Sequence, residues 1–177
     1  MRLFERLTAA DQHTTLLFNR INHLRLPARL FAIVSRLGDG VLWYSIILAL
    51  PFVHGAGAAL VSLQMIAVGL SSYLLYRWLK RATGRVRPCQ RLEGDILHSV
   101  APLDEFSFPS GHTMHAVAFT IILVAYYPVW AVFVIPFTVL VALSRMVLGL
   151  HYPSDVIAGA LIGSTTAILS LLLTTPH

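Results

Sequence analysis

The chain has 177 residues, of which 56% are hydrophobic and only 12% charged, and its mean hydropathy is +0.73. Soluble domains average roughly 25% charged residues, so this composition excludes disorder, a nucleic-acid module and an ordinary soluble enzyme, and leaves an integral membrane protein that faces lipid. The net charge of +5 and the pI near 9.9 then belong to arginines flanking the membrane beside anionic headgroups.

Residues 1–39 mix apolar and basic side chains. Leu3, Phe4, Leu7, Leu16, Leu17, Phe18, Ile21 and Leu24 alternate with Arg2, Arg6, Arg20 and Arg25. Pro27 breaks the segment, and residues 28–37 resume it with Arg29 and Arg36. This pattern predicts amphipathic helices lying in the interface. No apolar stretch follows the first arginines closely, so a signal peptide is not expected.

Residues 40–76, 106–144 and 156–177 contain no Asp, Glu, Lys or Arg. One crossing takes about 20 helical residues, so each of the first two runs predicts a helical hairpin and the third a single span. Pro51 and His54-Gly55-Ala56-Gly57 divide the first run, and Tyr126-Tyr127-Pro128 divides the second. Spans are expected at 40–54, 57–79, 110–127, 129–149 and 154–173. The first is short and either borrows residues 30–37 or lies tilted or buried. Pro136 is placed to kink the fourth. Trp43, Tyr44, Tyr76, Trp78, Tyr126, Tyr127 and Trp130 fall near span ends, as interfacial anchors do. The expected fold is an all-α, polytopic membrane bundle of about five transmembrane helices. It forms one domain, with interfacial helices over 1–39 and the transmembrane core over 40–177. The single cysteine, Cys89, excludes an intramolecular disulfide and a cysteine-based zinc site.

Three polar clusters interrupt the apolar pattern. Lys80-Arg81-Ala82-Thr83-Gly84-Arg85-Val86-Arg87-Pro88 closes the second span, and taken alone it reads as a basic membrane flank. Phe108-Pro109-Ser110-Gly111-His112 opens the third span. There Ser110 serves either as a plain helix cap or, with the free first-turn amides, as part of an anion site. His112 at a span's mouth suggests a task, whereas His115, one turn on, reads as interior. Ser144-Arg145 and His151-Tyr152-Pro153-Ser154-Asp155 straddle the fourth and fifth spans. Asp155 lies one helical turn from His151. From there it either caps the last helix or orients the imidazole and leaves its other nitrogen free. Arg145 follows an uncharged run and calls for a partner or a polar cavity. With five antiparallel crossings all three clusters reach the same membrane face. Lys80, Arg87 and Arg145 with a helix N-terminus then suit an anionic substrate, and phosphate fits best. Beyond Asp155 the clusters lack carboxylates, so no metal is expected.

Together the clusters resemble the signature of the type 2 phosphatidic acid phosphatase superfamily. K-x6-R-P matches Lys80 through Arg87-Pro88, P-S-G-H matches Pro109 to His112, and S-R-x5-H-x3-D matches Ser144-Arg145, His151 and Asp155. The resemblance implies a membrane lipid phosphatase acting on a phosphomonoester or pyrophosphate of the undecaprenyl pyrophosphate, phosphatidylglycerophosphate or phosphatidic acid class. His151 would attack phosphorus and His112 would protonate the leaving oxygen, with Asp155 orienting His151. Lys80, Arg87, Arg145, Ser110 and Gly111 would hold the phosphoryl oxygens. No metal or other cofactor is implied. Segment 90–105 would border the entrance, with Phe106 and Phe108 against the lipid chain. Many membrane relatives have an extra N-terminal span that this chain's pattern does not show.

Two other functions share the same site: a lipid-to-lipid phosphotransferase, and a lipid-phosphate transporter or binding protein. The expected partners are the bilayer and a lipid phosphate, in a bacterial inner membrane. All 13 Lys and Arg fall on the site side. The positive-inside rule therefore turns the site to the cytoplasm, while the resemblance implies the periplasm.

Overall fold

The computed structural model describes residues 2–92, 94–97 and 100–174. The side chains of Arg2, Leu3 and Phe4, residues Glu93, His98 and Ser99 of the expected entrance, and the His177 end lie outside the described residues.

Helix α1 (Arg2–Asn19) is followed by a 3-10 turn, Arg20–His23, and by extended backbone at Leu24. Helix α2 (Arg25–Arg36) starts there. The break therefore falls at Leu24, and Pro27 sits in the first turn of α2, where a missing N–H costs nothing. Helix α3 (Leu42–His54) has 13 residues. At about 1.5 Å per residue it reaches only ~20 Å, short of a bilayer core of roughly 30 Å. It follows α2 across a wide, kinked turn, Leu37–Val41, in which Gly40 is not helical, and the apolar stretch runs from Arg25 to His54, 30 residues in all. The second half of the segment read as interfacial thus leads directly into the first crossing, because α3 alone is too short to make it.

Helix α4 (Ala58–Thr83), the short α5 (Pro88–Arg91), α6 (Gly111–Tyr126), α7 (Ala131–Val147) and α8 (Pro153–Thr174) complete the chain. Arg25–His54, Ala58–Thr83, Pro128–Val147 and Pro153–Thr174 are long and apolar enough to cross a membrane, and α6 is a shorter apolar helix. The bundle is thus built from five apolar segments at the expected places. Large apolar side chains face outward around it, Phe52 and Leu173 being 90% and 87% exposed. Lipid solvates such a surface and water does not.

Helix α6 is the central element, with Ala116, Ala118, Phe119, Ile122 and Leu123 all buried. Trp43 of α3 packs against Phe119 and against Phe137 of α7, with ring centroids at 5.6 and 5.9 Å. Thr120 and Thr138 join α6 to α7 by a hydroxyl bond of 2.6 Å. Gln64 of α4 donates to Ser170 and Thr174 of α8. At the end away from the polar clusters, His54 stacks on Tyr127 at 4.0 Å and accepts a bond from the Trp130 indole at 3.0 Å.

Helices α6 and α8 make the closest contact. A Cβ on Gly159 would stand 2.5 Å from the Ser110 carbonyl oxygen, and one on Gly163 would collide with the Met114 carbonyl. Small residues let membrane helices approach this closely, where dispersion and backbone contacts replace the missing hydrophobic drive. Gly163→Val is therefore expected to destabilise the bundle by about 1–3 kcal/mol through overpacking. Gly57→Val, at a site with nothing within 4 Å, should leave the thermal midpoint in detergent unchanged. Equal midpoints for the two variants would refute the packing argument.

Candidate active site

The polar clusters meet where α4 and α7 end and α6 and α8 begin. A cavity of about 690 Å³ opens there, lined by Lys80, Arg87, Gly111, His112, Arg145 and His151. Its other half is apolar, bordered by Ile47 and Trp43 of α3, Ile66 and Leu70 of α4, and Phe119. Gly69 lies on this half too and lets the Phe119 ring close on α4, since a Cβ there would meet that ring at 2.9 Å.

His151 is 1% exposed and lies in the short link between α7 and α8. Its Nε2 stands 3.2 Å from Arg87 Nη1. Its Nδ1 is 3.6 Å from Asp155 Oδ2 and has no hydrogen bond among the described residues. Burial, then the charges of Arg87, Arg145 and Lys80, holds the imidazole well below its ordinary pKa. The ring is therefore neutral near pH 7, its nucleophilic form.

Arg87 is fully buried and fixed on three sides. It donates from Nη1 to the Leu150 carbonyl at 2.7 Å, from Nε to the Asp104 carbonyl at 2.9 Å and from Nη2 to Asp104 Oδ1 at 2.6 Å. The same Oδ1 accepts from Lys80 Nζ at 2.9 Å. Burial alone would raise the Asp104 carboxyl, but Lys80 and Arg87 outweigh it and hold the carboxyl below the usual range. Arg145 donates from Nη1 to Ser35 Oγ of α2 at 2.5 Å. Its Nε has no partner, and no carboxylate pairs with it among the described residues. A buried guanidinium left in this state, on a cavity wall, suits an incoming anion.

Ser110 and Asp155 stand one layer back from the cavity. Ser110 is the N-cap residue of α6, but its hydroxyl bonds Thr113 Oγ1 at 3.0 Å, and its N–H donates to the Asp155 carbonyl at 3.0 Å. Gly111 and His112 follow in the first turn of α6, whose amides have no intrahelical acceptor. His112 Nε2 bonds Asp39 in the α2–α3 turn. His115 lies inside, its ring nitrogens 2.8 Å from the Gly111 carbonyl and 3.1 Å from that of Gly69.

Asp155 is completely buried. Its Oδ2 accepts the Tyr152 N–H at 2.9 Å, and its Oδ1 accepts from Arg85 Nη1 at 2.5 Å. Arg85 also donates to Ser154 Oγ at 2.7 Å and to Asp11 Oδ2 of α1 at 2.6 Å, and its guanidinium lies 4.2 Å over the Tyr152 ring. Asp11 in turn accepts the Ser154 N–H at 3.0 Å. The N-terminal helix is thereby tied to the carboxylate behind His151.

The expectation that the clusters lack carboxylates beyond Asp155 is corrected here. Asp11, Asp39 and Asp104 all join them, brought in by α1, by the α2–α3 turn and by the segment before α6. Asp39 lies between two glycines just before an uncharged run, the one sequence signal that marked any of the three. Arg85 was visible only as one more basic residue of its cluster. Of the expected entrance, Leu103, Asp104 and Glu105 line the cavity, as does Phe106. Phe108 instead lines a second cavity beside α1. Among the described residues, no group of three or more His, Cys, Asp or Glu is arranged to hold a metal ion.

The profile of one family, the PAP2 superfamily, matches residues 61–176, a stretch that includes Lys80 through Asp155. The chain belongs to the PAP2 superfamily. A PAP2 lipid A 1-phosphatase of Rhizobium johnstonii is 36% identical over 57% of this chain and 43% of its own length. The chain thus spans less than half the length of that relative. An undecaprenyl-diphosphatase of Sulfolobus acidocaldarius is 30% identical over 88% of this chain and 75% of its own length. Among solved structures, a transmembrane PAP2 type phosphatidylglycerolphosphate phosphatase from Bacillus subtilis superposes with a TM-score of 0.76 at 26% identity. That match covers 95% of this chain and 86% of the other. Aquifex aeolicus LpxE gives a TM-score of 0.74 at 28% identity, over 88% of this chain and 93% of its own.

Replacing Arg85 leaves two carboxylates, one fully buried, without their cation. Arg85→Gln is expected to cost about 3 kcal/mol of stability, read as a lower unfolding midpoint in detergent. Asp11→Asn, which keeps most of the hydrogen bonds, should cost clearly less. A midpoint for Arg85→Gln equal to that of the unmodified protein would refute the network.

Proposed function

We propose that this PAP2 protein is a membrane lipid phosphatase that hydrolyses a phosphomonoester or pyrophosphate through a phosphohistidine. The observation that carries the reading is the two-part cavity. One end holds a neutral, buried imidazole beside Arg87, Lys80 and Arg145, and the other is an apolar slot between α3 and α4. A phosphate joined to a lipid chain has this same division. The undecaprenyl pyrophosphate, phosphatidylglycerophosphate and phosphatidic acid classes all fit it.

In the first step His151 Nε2 forms a bond to phosphorus as the bond to the leaving oxygen breaks. Asp155 restrains the imidazole from behind. Lys80, Arg87 and Arg145, with the Gly111 amide, take up the charge that spreads over the phosphoryl oxygens. Ser110 supports this arrangement by starting α6. His112 gives its proton to the leaving oxygen. In the second step His112 takes a proton from water, whose oxygen attacks phosphorus and frees His151. No step calls for a metal. Asp104 occupies Lys80 and Arg87 until the phosphate arrives, so substrate exchanges one anion for another.

The protein is a multi-pass membrane protein, and we place it in a bacterial inner membrane. Every Lys and Arg lies on the site side of the connections at 55–57 and 127–130, and the positive-inside rule then favours a cytoplasmic site. A cysteine added after Pro176 tests this: labelling by an impermeant reagent in intact cells is expected, and its absence would turn the site to the periplasm.

His151→Ala should abolish phosphate release from vesicles carrying lipid phosphate, and EDTA should leave the unmodified protein fully active. Full activity of the variant would refute the mechanism. Asp104→Asn frees two cations of a partly exposed competitor worth up to about 1 kcal/mol, so vanadate should inhibit about fivefold more tightly. Gly69→Leu fills the apolar slot. It should lower kcat/KM for long-chain lipid phosphates by about tenfold or more, the value of two or three buried methylenes, and spare a phosphate ester without a chain.

A further inference from the structure

Asp39 lies in the wide turn Leu37–Val41 that joins α2 to α3. Gly38 and Gly40 flank it. Gly40 has φ +132°, a conformation other residues rarely adopt, and a Cβ on Gly38 would press on Val141 at 3.0 Å. The glycines let the helix open one wide turn while it packs on α7. The turn brings a carboxylate inward, onto the wall of the cavity that holds His151. Its partner is His112 Nε2. No Lys or Arg pairs with Asp39 among the described residues. The hydrogen bond described for the His112 ring is made through Nε2.

We propose that Asp39 is the positioning residue for the acid of this reaction, holding His112 by Nε2–H so that Nδ1 carries the proton given to the leaving oxygen. The inference rests on the phosphatase reading above and assigns a role that the three sequence clusters do not contain. The proton balance is simple. Before transfer, His112 carries protons on both nitrogens and is paired with the Asp39 carboxylate. As the bond from phosphorus to the leaving oxygen breaks and the bond to His151 forms, the Nδ1 proton goes to the leaving oxygen. His112 is then neutral, with Nε2–H still donated to Asp39. In the second step water gives a proton to Nδ1 while its oxygen bonds phosphorus and the bond to His151 breaks. The starting state returns. A carboxylate fixed on the far nitrogen sets the ring's orientation through both steps.

A second role would also explain the contact. In that role Asp39 is only a tie that fixes the kinked helix to α6. The two roles differ in one readout. A proton donor matters for a poor leaving group and hardly at all for a good one, whereas a structural tie matters equally for both.

The test measures kcat/KM for 2,4-dinitrophenyl phosphate and for phenyl phosphate in detergent micelles, with the unmodified protein and with Asp39→Asn. This constant reports the first phosphoryl transfer, so water activation does not enter it. The ratio of the two constants is independent of how much protein is folded. In Asp39→Asn the ratio of phenyl to dinitrophenyl phosphate is expected to fall by about tenfold or more, and His112→Gln should shift it in the same direction. An unchanged ratio, whatever the total activity, overturns the proposal and leaves the phosphatase reading intact. Hydrolysis that survives His151→Ala overturns both, so the two failures are told apart.

Discussion

The structure is organised around the cost of gathering like charges at the edge of a membrane. Lys80, Arg87 and Arg145 are each no more than 5% exposed, and all line one cavity with His112 and His151. Desolvation and mutual repulsion both oppose this. The chain answers with carboxylates drawn from distant segments. Asp104 pairs with both Lys80 and Arg87, and Arg85 is held between Asp155 and Asp11. Each of these pairs also fixes a piece of irregular chain. The segment before α6 is held over the cavity by Asp104, and α1 is held against the start of α8 by Asp11. The polar network therefore does for the site end what close helix packing does for the membrane interior.

Arg145 is the exception. The only hydrogen-bonded partner of its guanidinium among the described residues is the Ser35 hydroxyl. A neutral partner fixes its direction without cancelling its charge. That cation lies in the last turn of α7, on the wall of the site cavity.

The spans and the three clusters were legible because both signals are local. Charge-free runs mark crossings, and Gly55, Gly57 and the 126–128 break mark their ends, whereas Pro51 lies inside α3. The clusters meet because antiparallel crossings return to one face, a deduction that needs no side-chain detail. The wide turn at 37–41 was not legible, since apolar pattern alone does not separate an interfacial helix from the outer part of a long span. Nor were the partners of the cations. Asp39 and Asp11 lie more than seventy residues from the groups they bind, Asp104 lies 17 from Arg87, and tertiary contact alone selects them. The same holds for Asp155: its position four residues after His151 suggested a direct bond, but Arg85 and the Tyr152 amide claim both of its oxygens and leave His151 Nδ1 at 3.6 Å.

The glycine contact between α6 and α8 has a consequence for how this architecture diversifies. Gly159 and Gly163 bring backbone against backbone, so the helix that carries His112 and the one that begins just after His151 form a single stiff block. Apart from Phe119, the wall of the apolar slot is supplied from outside that block, by α3 beyond the 37–41 turn and by one face of α4. Substitutions at positions such as Ile47, Ile66 or Leu70 reshape the slot without shifting any group that handles phosphorus. A scaffold partitioned in this way is free to drift in lipid preference under mutation while its chemistry stays under strict constraint.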